Sequence, residues 1–141
     1  MRFFVDANVV VYSAMRGPYQ QACADVLLAV AEGVAEGYTS TAALEEVWHL
    51  EVSGKAGSLP GLTRRAHAIF WPLLPVTDEA LQIALAMRNT SVGANDRIHA
   101  ATCAANGIAT ICTADTGFDS VSGLRRVDPL DHAAVRKLLG R

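Results

Sequence analysis

The stretch FFVDANVVVYSA, residues 3–14, decides the fold. Phe3, Phe4 and Val5 are apolar at consecutive positions, so both faces of the segment belong in a core. That is the signature of a central strand in a parallel sheet rather than of a half-exposed antiparallel one. The spacing predicts a strand over Arg2–Val5, closed by the carboxylate of Asp6. Asn8 can cap a short helix, which Gly17 and Pro18 break. Outward from there, helical spacing of Ala22, Val26, Leu27 and Val30 predicts a helix over 19–36, ended by Gly37. A short strand over 38–40 follows, then a helix over 42–53, capped by Ser40 or Thr41 and stopped by Gly54. Beyond a Gly/Ser/Pro-rich loop, residues 62–71 read as helix and 72–76 as extended chain. Thr77 opens a helix over 78–88 and Asn95 caps another over 96–106. Residues 108–112 form the second clear strand and Arg125–Val127 a weaker one, and Asp131 opens a terminal helix to Leu139. Strands alternating with helices predict an α/β fold, a three-layer α/β/α sandwich around a parallel sheet, as one domain over 1–141.

Composition narrows the class. With 51% hydrophobic and 18% charged residues in 141, the chain can bury a core and is not disordered. A net charge of −2 excludes a broadly basic nucleic-acid surface, but not an enzyme that brings cations to an acidic site. The high apolar content leaves surface that a partner can cover. Three cysteines, Cys23, Cys103 and Cys112, lack CxxC spacing and read as buried thiols in a reducing compartment. No signal peptide and no membrane span of about 20 apolar residues is evident, so a cytoplasmic location is expected.

In doubly wound sheets, right-handed crossovers put ligands at the carboxyl edge of the strands. Asp6 ends the first strand, Asp115 follows the 108–112 strand, Asp96 sits in the first turn of its helix, and Glu45 and Glu46 lie in the second turn of theirs. Taken singly, each has a plainer reading: Asp96 as a favourable charge on a helix dipole, Asp115 as a turn residue, Glu45 or Glu46 as solvated helix surface. Asp6 has no evident turn duty. Jointly they fall toward one edge, where two carboxylates 4 Å apart repel by about 4 kcal/mol at an effective dielectric near 20. Such a set calls for a hard divalent cation, Mg²⁺ or Mn²⁺. Zinc is disfavoured, because no Cys/His set has ligand spacing. Glu46 and His49 make a single ExxH pair, too few for a di-iron bundle. His49 and His99 read as packing or hydrogen-bonding residues, and Trp48 and Trp71 as core or partner contacts.

At this point the fragments FVDANVVVYS, TAALEEVWHL, GANDRIHAATCAANGIATICTADTGFD and VSGLRRVDP, in this order, resemble the PIN-domain family over roughly residues 2–129. Within it they are most similar to VapC-type toxins of bacterial toxin–antitoxin pairs. The resemblance implies an α/β/α sandwich and a Mg²⁺- or Mn²⁺-dependent ribonuclease held inactive by a protein antitoxin, in a homodimer or a toxin–antitoxin hetero-oligomer. It places the family's acids on Asp6, Glu46 (with Glu45 as neighbour), Asp96 and Asp115. Asp119 matches an additional acid, and Asn8 and Thr113 match supporting polar positions. Ala7 departs from the Ser or Thr that many relatives carry there.

The expected activity is therefore hydrolysis of RNA phosphodiester bonds, with Arg16, Arg88 or Arg97 assisting RNA approach. Two rivals stand beside it. An aspartyl-nucleophile phosphohydrolase needs DxD at the first strand end, where Asn8 replaces the second acid. A receiver-like acidic-pocket module needs a lysine after a late strand, and the only lysines, Lys55 and Lys137, follow none.

Overall fold

The computed structural model describes residues 1–88 and 90–141. The chain runs β1 (Arg2–Val5), α1 (Ala7–Ser13), α2 (Gln20–Ala31), β2 (Glu36–Tyr38), α3 (Thr41–Ser53), α4 (Leu62–Phe70), α5 (Asp78–Ala86), α6 (Ala94–Ala105) and β3 (Thr110–Cys112). A 3₁₀ turn (Thr116–Ser120), β4 (Arg125–Val127) and α7 (His132–Leu138) complete it. All neighbouring strands pair in parallel, in the order β2–β1–β3–β4.

The expected sandwich is present, and β1 shows how it is built. Phe3 and Val5 enter one core with Val9 and Val10 of α1, Val26 of α2 and Val47 of α3. Phe4 points the other way, into a second core with Ile111 of β3 and Ala100 and Cys103 of α6. Phe3, Phe4 and Val5 all have zero exposure, so the consecutive apolar run is buried on both faces. Burying each such side chain contributes about 1.5–3 kcal/mol. Alanines close the packing of α5 on α6, where Ala80, Ala84 and Ala101 form a small third cluster.

Several boundaries differ from the sequence reading. The second helix stops at Ala31, and Gly33, at φ +74°, turns the chain. Gly37 does not end a helix; it lies inside β2, opposite Phe3. A Cβ there would stand 2.5 Å from Val30 Cγ2 and 3.1 Å from the Phe3 ring, so the glycine is required by close packing. The strand is accordingly Glu36–Tyr38 rather than 38–40, and Thr39 turns its hydroxyl to donate to Val5 O at 2.8 Å. Asn8 lies within α1, which Asp6 caps, and Gly93 rather than Asn95 occupies the cap position of α6. Ser40, Thr77 and Asp131 cap their helices as expected.

Cys23, Cys103 and Cys112 are buried free thiols, as read from their spacing. Burial pushes the thiols of Cys23 and Cys103 up to about 12, so they stay neutral packing residues. No helix among the described residues is long and apolar enough to cross a membrane.

Candidate active site

The strand order makes a topological switch between β1 and β3. From β1 the chain steps to β2 on one side and later returns to β3 on the other. The crevice outside the carboxyl ends of such strands is the usual ligand position in doubly wound sheets. Asp6 and Thr113 stand on its two sides, each at the end of a strand.

Asp6 is 5% exposed and heavily hydrogen-bonded. The Ala7 amide donates to Oδ1 at 2.8 Å, and the Thr113 hydroxyl to Oδ2 at 2.8 Å. The Asn8 amide reaches both Thr113 Oγ1 at 2.9 Å and Asp6 Oδ2 at 3.3 Å, while Asn8 Oδ1 accepts from Ala114 N. Asp6 therefore has a turn duty after all: it opens α1. Burial nevertheless raises its pKa, with Glu46 adding to the rise, although His99, Thr113 and Ala7 all favour the charged form. Asp6 is fixed in place but short of positive charge.

Asp115 caps the 3₁₀ turn by accepting from Gly117 N at 2.8 Å, so its turn reading also holds. A Cβ on Gly117 would stand 3.0 Å from Asp115 Oδ1, which keeps that position open. Asp96 projects from the first turn of α6. Burial, then the charges of Asp6 and Asp115, push its pKa up to about 6; Glu46 adds to the rise and His99 opposes it. The charges of Asp6, Asp115 and Glu46 thus all reach Asp96.

Glu46, not its exposed neighbour Glu45, turns toward this edge. Its Oε1 lies 2.9 Å from His99 Nε2. Asp6, Glu46 and His99 each offer a ligand atom within 4.8 Å of the others. His99 is fully buried and stacks obliquely on Phe4, with ring centroids 5.9 Å apart. Burial works against its charged form, but the bond to Glu46 and the field of Asp6 outweigh that, so its pKa is raised. His99 is the hydrogen-bonding residue that the sequence suggests; its place beside the acids goes beyond that expectation. The i, i+3 spacing from Asp96 on α6 is the signal that carries it.

Asp119 is engaged elsewhere. Arg126 binds it through Nε at 2.9 Å and Nη2 at 3.4 Å, and also donates to Asp128 and to Thr113 O. Arg97 likewise holds chain carbonyls, those of Val92 and Met87, rather than facing solvent freely. Arg16 and Arg88 are exposed. A groove of about 1200 Å³ leads from Glu46 and His99 along α3, past Trp48 and Val52, to Arg64 and His67 of α4. Trp48 is 60% and Trp71 71% exposed, so neither belongs to the core.

The structure is thus a parallel α/β domain with acidic side chains at the carboxyl edge of its sheet. The PIN-domain family model matches residues 3–124, and the chain belongs to this family of nucleases. Among solved structures it is similar to a chain of VapBC2 from Rickettsia felis, a complex described as bound to a DNA fragment from their promoter. The identity is 17%, the TM-score 0.60, and 91% of this chain and 98% of that one are covered. It is similar also to a chain of FitAcB from Neisseria gonorrhoeae, at 17% identity and TM-score 0.67, covering 92% and 99%. At this identity the likeness is one of fold. No curated protein sequence matches the chain.

Proposed function

We propose that the protein is a Mg²⁺- or Mn²⁺-dependent endoribonuclease, the toxin of a toxin–antitoxin pair, acting in the cytoplasm. The observation that carries this reading is that Asp6 and Glu46 offer carboxylate oxygens within 4.8 Å of one another beside His99, with Asp96 near enough that their charges help push its pKa up to about 6. Carboxylates that resist ionisation for want of a counter-charge fit a hard divalent ion, and their oxygen donors suit Mg²⁺ or Mn²⁺. Asp6, Asp96 and Asp115 would hold it, with Glu46 as a further ligand or as the base that orients water. When bound, the ion would supply polarisation of the scissile phosphate and a more acidic water.

The remaining work falls to the chain itself. Thr113 and Asn8 fix the Asp6 carboxylate, so its orientation costs nothing at the moment of reaction. Gly117 leaves Asp115 unobstructed. Exposed Arg16 and Arg88 are available to attract the RNA backbone, a contribution screened by salt.

The partner reading rests on the groove beside the site. Its exposed Trp48 and Val52 form apolar surface that a helical antitoxin segment would bury, in a hetero-oligomer of the kind the VapBC2 structure describes. An antitoxin seated there would also close the approach to Glu46.

The test is RNA cleavage by purified protein. Cleavage with Mg²⁺ or Mn²⁺, none in excess EDTA, and loss of most activity in folded Asp96→Asn are expected. Full activity in verified absence of metal would overturn the mechanism.

A further inference from the structure

We infer that His99 is a positioning residue for Glu46: its Nε2–H holds Glu46 Oε1 and leaves Oε2 to face the ion site. The inference rests on the reading of Glu46 as part of that site. An ionised carboxylate only accepts hydrogen bonds, so the 2.9 Å contact fixes the proton on Nε2. The bond ties α6 to α3 across the crevice, and His99 lies one helical turn from Asp96 on the same helix. One residue of α6 thus addresses the ion while its neighbour one turn on orients a carboxylate borne by α3.

Packing alone does not account for a histidine at this position. The ring is fully buried, and its Nδ1 has no hydrogen-bond partner among the described residues. A buried polar atom without a partner is unfavourable, and an apolar side chain of similar size would fill the space against Phe4 better. What an apolar residue cannot do is hold Glu46. Glu46 is itself a third exposed at its side chain, so without this bond its rotamers are free to swing into water. Partners that orient a metal ligand typically matter by about 10–100-fold in metal affinity.

The experiment compares Mn²⁺ affinity, by calorimetric titration of the otherwise metal-free protein, in wild type, His99→Leu, His99→Gln and Glu46→Gln. Melting in EDTA is recorded for each. The expected result is that His99→Leu still melts as a folded protein in EDTA yet binds Mn²⁺ about 10–100-fold more weakly. His99→Gln, whose amide can donate to Glu46, recovers most of that loss. If the leucine variant does not fold, His99→Phe takes its place. Unchanged affinity in the leucine variant overturns the inference. So does a glutamine variant no better than leucine, which would make His99 a ligand in its own right. If Glu46→Gln binds Mn²⁺ as wild type does, the reading of Glu46 fails and takes the inference with it; a loss in Glu46→Gln alone overturns the positioning role and leaves that reading standing.

Discussion

The Thr113 hydroxyl donates to Asp6 Oδ2 at 2.8 Å, joining the carboxyl ends of two adjacent parallel strands across the switch point of the sheet. The same oxygen of Thr113 accepts from Asn8 Nδ2 and from the Asp115 amide. One buried hydroxyl therefore ties together the strand end, the first turn of α1 and the start of the 3₁₀ turn. The arrangement fixes Asp6 and Asp115 relative to each other without help from any ion.

Thr113→Val keeps the shape and removes the hydroxyl. It leaves a buried carboxylate one donor short, and hydrogen bonds to charged groups are worth about 1.5–3 kcal/mol. The variant should lose about that much stability at pH 8, measured by denaturant unfolding in EDTA. The deficit should shrink at pH 5, because Asp6 takes up protons more readily than an ordinary carboxyl. An undiminished variant at pH 8 would show the hydroxyl to be dispensable.

Asp96 makes metal-free stability depend on pH in a defined direction. Its pKa is about 6 in the folded chain against 3.8 for the ordinary group, so the folded state binds the proton more tightly. Its favourable contribution is complete below about 3.8 and is lost as pH rises through 6. Asp96→Asn should abolish that loss. A tenfold difference in proton affinity corresponds to about 1.36 kcal/mol when the group is fully withdrawn from solvent. The Asp96 carboxyl is partly in water, so the gain at pH 7.5 in EDTA is reduced by screening to about 1 kcal/mol. Melts of both proteins at pH 4.5 and 7.5 measure the difference. A variant less stable at both would make Asp96 a structural helix residue.

Asp119 should tolerate neutralisation. Its carboxylate is already occupied by the Arg126 guanidinium, in a pair whose acid is exposed. Asp119→Asn should keep RNA cleavage within about three-fold of wild type, since exposed pairs contribute only about 0–1 kcal/mol. A loss as large as that of Asp96→Asn would mean that the arginine releases Asp119 to the ion.

What the sequence makes legible is what depends on local pattern. The unbroken apolar run Phe3, Phe4, Val5 marks the central strand, and the acids after strands and at helix starts mark the carboxyl edge. Gly37 misleads because a glycine after an apolar helix resembles a stop; its reason for being there is Val30 and Phe3, which only the packed sheet brings against it. Asn8 and Asn95 look like caps by type, but backbone geometry gives those positions to Asp6 and Gly93. The roles of His99 and Arg126 are hidden for a different cause. The partner of Glu46 is 53 residues away, and no spacing rule connects α3 to α6 before they pack. Arg126 holds Asp119 and the Thr113 carbonyl from a neighbouring strand, a relation that β-sheet register creates.

If the acids of this crevice serve an ion and not the fold, metal should stabilise the protein through them. The most direct measurement is the thermal midpoint of wild type and Asp96→Asn, each in EDTA and in saturating Mn²⁺. Binding at a hundred-fold excess over the dissociation constant stabilises a protein by about 2.7 kcal/mol. For a domain of this size that raises the midpoint on the order of 10 °C. Wild type should show that rise, and Asp96→Asn, starting no lower in EDTA, should show a small fraction of it. Equal rises in the two proteins would contradict the claim, because the ion would then bind away from Asp96.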